Sequence, residues 1–225
     1  MVVMQKRSFL VLGIILLLVA GVAYPRSKKK GSGGSTAGAP FDYYLLTLSW
    51  APDFCAGPTG DKDPRECGTG RHIGFVVHGL WPQNNKAKGP ENCGSASPVS
   101  ASIIALMLNY IPTESLIQHE WKAHGTCSGL SVDDYFANVR KAKDSLKIPD
   151  AFTSMTKETS ESAGQIEQQF AAANPSFVKT AFRATCTNGK LQEARICLSK
   201  NLSPIACTAS AGECTSPSMT ILPPK

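Results

Sequence analysis

Apolar and polar positions divide the 225-residue chain into a leader, a linker and a folded region. Phe9 to Tyr24 is an unbroken apolar run, FLVLGIILLLVAGVAY, behind Lys6-Arg7. Its 16 residues are short for a membrane span and suit the apolar region of a signal sequence. Residues 25–40 hold Arg26, Lys28–Lys30 and GSGGSTAGAP, a basic and flexible linker. The domain expected over 41–225 opens with Tyr43 to Trp50, whose aromatic and β-favouring residues predict a strand. Cys55 to Gly70, dense in Pro, Gly and Asp, predicts a loop. HIGFVVHGLW (His72 to Trp81) predicts a second strand, apolar enough for the middle of a sheet, and Pro82 to Pro98 a further loop.

Val99, Ile103, Leu106, Met107 and Tyr110 keep helical spacing after Pro98 and predict the buried face of a helix. A second helix begins near Thr113 and carries LIQHEWKAH up to Gly125. Ser131, with Asp134 three residues on, caps a third over Tyr135 to Leu146, and Glu161 to Ala173 forms a fourth, closed by Asn174-Pro175. Phe177 to Thr187 and Lys190 to Lys200 flank Asn188-Gly189, a strong hairpin signal. Strands at both ends with helices between predict an α+β domain around a central antiparallel sheet, disulfide-stabilised.

Composition of 42% hydrophobic and 18% charged residues excludes a disordered or fibrous chain. Of 23 basic residues, six lie in residues 1–39, where no acidic residue occurs; the remaining 17 balance 17 acidic residues. Bulk charge therefore supports no duplex-DNA binder, and nucleic acid, if bound, is held at a local site. All eight cysteines lie beyond residue 54 with no CxxC pair, which points to disulfides in an oxidising compartment. The leader agrees: Gly21 and Ala23 offer a cleavage site, while the following basic cluster opposes export. A removed signal and an uncleaved anchor tethering the domain to a membrane both place it outside the cytoplasm.

Three of the four histidines fall in FVVHGLWPQ (His78) and HEWKAHGTC (His119, His124). On a helix, Glu120 and His124 share a face about 40° wide, while His119 and His124 diverge by about 140°. A zinc-binding HExxH needs its histidines four apart, and here they are five apart, so no metal site is read. Cys127 is more simply a disulfide half than a nucleophile. What remains is acid–base chemistry by two imidazoles and a carboxylate, which suits in-line phosphoryl transfer in RNA, where the 2′-OH is the nucleophile and no cofactor is needed. Without context, His78 reads as a core histidine, Glu120 and His119 as surface residues and Trp81 as core packing. His72 is assigned no role.

FVVHGLWPQ and HEWKAHGTC together resemble the two active-site segments of the ribonuclease T2 family, and LTLSWAPDFC, GTCSGLSVDDYF and the cysteine-rich tail extend the resemblance over the domain. It implies His78 as general acid to the 5′-oxygen, His124 as general base on the 2′-OH, His119 and Glu120 as the groups that hold and polarise the phosphate, and Trp81 as an aromatic for the base. It implies the bridges Cys55–Cys67, Cys93–Cys127, Cys186–Cys214 and Cys197–Cys207. The implied activity is a monomeric, cofactor-free endoribonuclease that cuts single-stranded RNA, not DNA, to a 2′,3′-cyclic phosphate and then a 3′-phosphate. One departure stands out: the family's lysine before the second histidine is Ala123 here, on the expected active face, and Lys122 precedes it, about 200° round the helix from Glu120. A catalytically weakened, secreted RNA- or surface-binding protein is the alternative this departure raises.

Overall fold

Tyr43–Trp50 forms β1, and hydrogen bonding on both of its edges explains why nearly every residue in it is buried. One edge pairs antiparallel with β2 (Phe75–Gln83), the other with β5 (Lys190–Leu198). The structure is a computed structural model that describes residues 38–57, 64–68 and 70–224. The leader and most of the linker lie outside these residues. Among the described residues, no helix is long and apolar enough to cross a membrane.

β4 (Phe182–Thr187) pairs antiparallel with β5 through a hairpin whose Asn188 and Gly189 have φ of 52° and 73°. This left-handed pair matches the twist of the strands, as the Asn-Gly signal requires. β6 (Met219–Ile221) joins β5 in parallel at Lys190 and carries β3 (Thr159–Glu161) on its far side. The sheet is therefore mixed, antiparallel but for that one contact. β2 ends the sheet order rather than occupying its middle. Its apolar residues are needed because the chain covers this edge: the Val77 N–H donates to the Tyr110 carbonyl at 3.0 Å.

Seven helices accompany the sheet among the described residues: α1 (Ala51–Cys55), α2 (Pro64–Cys67), α3 (Ala101–Met107), α4 (Glu114–Ala123), α5 (Val132–Asp144), α6 (Asp150–Thr153) and α7 (Ala163–Ala173). Side-chain oxygens of Ser100, Thr113, Ser131 and Ser162 cap α3, α4, α5 and α7, each accepting a backbone N–H three residues on. Such caps satisfy donors that a helix start leaves unpaired. Glu161 falls in β3, so the fourth predicted helix starts two residues late, behind the Ser162 cap. α1, α2 and α6 are too short to show a helical period; α2 lies in the loop expected over Cys55 to Gly70, and α1 and α6 fall where no helix was expected. Leu106 is 52% exposed and does not belong to the buried face of α3.

The helices cover one face of the sheet, where Tyr44, Leu46, Leu48 and Trp50 of β1 meet Met107, Ile117, Trp121, Tyr135, Phe136 and Phe170. The opposite face carries a smaller cluster of Tyr43, Leu45, Cys197 and Ala211 with Trp81 against it. The four bridges, Cys55–Cys67, Cys93–Cys127, Cys186–Cys214 and Cys197–Cys207, follow the pairing the resemblance implies. Cys93–Cys127 ties the loop after β2 to the turn after α4 across a separation of 34 residues. Replacing both cysteines by alanine frees that loop in the unfolded chain and should lower stability by about 3–4 kcal/mol, read from denaturant unfolding. A loss below about 1 kcal/mol would show that packing alone holds the two segments together.

Candidate active site

The site lies where β2, β5 and the end of α4 meet, and a bulge in β2 creates it. Thr47 pairs with Gly79 but Leu48 pairs with Val77, so His78 is the extra residue between them. Strict alternation would send His78 and Trp81, three apart, to opposite faces; the inserted residue restores both to the same face. β5 supplies Glu193 opposite Ser49 and Arg195 opposite Thr47 on that face.

His78 Nδ1 lies 2.8 Å from Glu193 Oε1. Arg195 holds the other oxygen of that carboxylate through Nε at 2.9 Å and a second guanidinium nitrogen at 2.7 Å, and donates a further bond to the Ala211 carbonyl at 2.7 Å. With Nδ1–H donating to Glu193, His78 turns Nε2 toward Glu120, whose Oε1 is 3.8 Å away. Glu120 is 1% exposed; its Oε2 accepts the Trp81 indole N–H at 2.8 Å, while Oε1 is buried without a hydrogen-bond partner. Gly79 makes room, since a Cβ there would collide with the Glu120 carboxylate and the Trp81 nitrogen.

The Trp81 ring is the hub. It lies 5.1 Å from His78, edge to face, and 5.1 Å from His124, nearly parallel at 29°. Arg195 lies over the same ring at 5.7 Å. The ring thus touches both imidazoles and the guanidinium. The His119 and His124 rings are 6.5 Å apart at 80°, so they face the site from different sides, as the five-residue spacing implies. His124 ends α4 with φ of −119°, and the helix stops at Ala123 rather than Gly125. Ala123 is buried at 5%, its carbonyl accepting the Asn92 N–H at 2.8 Å, so position 123 is packed rather than open to the active face. Lys122 is exposed.

The environments push the two imidazoles apart. Burial alone would lower the pKa of His78, but the Glu193 hydrogen bond and the charges of Glu120 and Glu193 outweigh it and raise the value above the ordinary 6.5. Burial above all, together with the charges of His119 and His78 and against that of Glu91, lowers His124 to about 4. Burial lifts Glu120 to about 7, opposed by His78 and Trp81. For Glu193 burial is overcome by His78 and Arg195, which hold the carboxyl below its usual range. One imidazole is thus made to carry a proton and the other to lack one, the division an acid–base pair needs. His78, Glu120, His124, His119 and Trp81, all named from sequence, come together here. The sequence does not mark Glu193 and Arg195: in KLQEARICL their only signal is a charged pair two apart in a strand predicted from its hairpin turn.

The sequence profile of the Ribonuclease T2 family matches residues 41–207. The chain is 41% identical over 128 residues to a protein named "Probable ribonuclease" of Haemophilus influenzae, covering 52% of this chain and 47% of that one. It is 36% identical over 131 residues to the "Ribonuclease" of Aeromonas hydrophila, covering 58% and 54%. The chain thus spans about half the length of these curated relatives. In fold it resembles an RNase-related protein from Calystegia sepium, with TM-score 0.64, 21% identity, and 82% and 97% of the two chains covered. A structure of RNase NT in complex with 5′-AMP gives TM-score 0.62 and 22% identity, over 83% and 100%.

Titration of the ring protons by NMR should place His78 above 6.5 and His124 near 4. Glu193→Gln removes a negative charge from Nδ1 and should bring His78 down while leaving His124 nearly unmoved. Equal, unshifted values for both rings would contradict the electrostatic asymmetry.

Proposed function

From the premise that this chain belongs to the ribonuclease T2 family, we propose that it is an exported endoribonuclease cleaving single-stranded RNA by metal-independent transesterification. Two imidazoles of opposite basicity, held on one tryptophan, carry this proposal. Neutral His124 takes the proton of the 2′-OH, the 2′-oxygen bonds to phosphorus, and the bond to the 5′-oxygen breaks as His78 Nε2 protonates it. A 2′,3′-cyclic phosphate is left, and water attacks it with the proton transfers reversed, giving a 3′-phosphate. Glu120, buried with its Oε1 unpartnered, helps to polarise the phosphate, with exposed His119 reaching the same group. The leader directs the domain out of the cytoplasm, where its four bridges persist.

The full chain with its disulfides formed should cut RNA in excess chelator and leave DNA of the same sequence intact, since DNA lacks the nucleophile. RNA binding without cleavage would sink the proposal in favour of a binding protein. His78→Ala and His124→Ala should each lower kcat by about 10²–10⁴.

The dependence of kcat/KM on pH should be a bell that rises through about 4 as His124 loses its proton and falls through a value above 6.5 as His78 loses its own. Glu193→Gln should move only the alkaline limb, toward lower pH. Lys122→Ala should leave kcat unchanged; a large fall would show the exposed lysine folding back onto the phosphate.

A further inference from the structure

A cavity of about 730 Å³ lies beside the catalytic site, floored by Phe75, Val76 and Val77 of β2. Arg65, Arg71 and Lys143 line it, and among the described residues no Asp or Glu side chain does. Asp144, next to Lys143, accepts the Tyr110 hydroxyl at 3.0 Å. Basic and acidic residues balance over residues 40–225, so Arg71 and Lys143 facing one concavity are a local concentration of positive charge. A second cavity, of about 380 Å³, shares Val76 and is lined by His78 and His119. The strand that carries His78 therefore runs from the catalytic imidazole into the basic groove.

We propose that this groove is a second RNA-binding site, which holds the phosphates downstream of the bond that is cut. This rests on the ribonuclease activity proposed above, and the direction follows from the role of His78. The nucleotides joined to the leaving 5′-oxygen are those next to His78, and the cavity that His78 lines adjoins the groove at Val76. Arginine forks and a lysine ammonium suit phosphate oxygens, and backbone contacts carry no base information, so the groove favours length over sequence. A dinucleotide has no phosphate beyond the scissile one and cannot use it.

The test compares a dinucleoside monophosphate with an RNA decamer, using the full chain and an Arg71→Ala/Lys143→Ala variant. The variant should lose about tenfold in kcat/KM on the decamer and nothing on the dinucleotide. For single strands log affinity falls by about 0.7 per decade of salt for each phosphate neutralised, so the decamer's salt slope should flatten by about 1.4. Equal losses on both substrates, or none on the decamer, would overturn the groove. A 2′-O-methyl decamer, which cannot react, reads the groove without chemistry: the variant should bind it more weakly and with the same flattened slope, and unchanged binding would also overturn the proposal. A wild-type chain that binds this decamer through Arg71 and Lys143 yet cuts neither RNA would refute the ribonuclease reading and leave the groove standing.

Discussion

The carboxylate of Glu120, 1% exposed, is the constraint around which the site is arranged. An ionisable group so far from water is tolerated only with partners aimed at it. Those partners come from a different segment: the Trp81 indole N–H and the His78 imidazole, both on β2. A glycine at 79 is required because the α4 carboxylate passes where a Cβ would stand. The Cys93–Cys127 bridge then fixes the turn after α4 to the loop after β2, so the two segments that meet at Glu120 are also joined covalently nearby. The carboxylate is thus both an anchor between strand and helix and a group left with one oxygen free.

The sheet supplies what a single helix cannot, a second side to the site. His78 sits at a bulge and leans on Glu193, which Arg195 holds in turn, so a three-residue chain of charge ends on Nδ1. His124 sits at a helix end, packed on the Trp81 ring and shielded from water. Burial acts on both imidazoles, and only His78 is given an ionised carboxylate within hydrogen-bonding distance. That difference, rather than residue type, separates the imidazole that is raised from the one that is lowered.

Much of this was legible along the chain. HGLWPQ and HEWKAHGTC mark five of the site residues, because catalytic groups on one strand and one helix stay close in sequence. The capping serines, Thr113 and the Asn-Gly turn also mark their elements, since these are local bonds between residues a few positions apart. Glu193 and Arg195 were not legible, for their meaning depends on a strand more than a hundred residues away. The same holds for β3 and β6, three residues each, whose existence depends on pairing rather than on any pattern of their own.

By itself the sequence determined the α+β class, the family and the candidate catalytic residues, which rest on short-range motifs, and through the family resemblance the pairing of the cysteines. Only the tertiary structure decided that β2 lies at the end of the sheet order, that a bulge turns His78 to the face of Trp81, and that position 123 is packed closed. It also decided which imidazole is raised and which is lowered. Those outcomes depend on through-space distances and on exclusion of water, quantities that exist only once distant segments have been brought together.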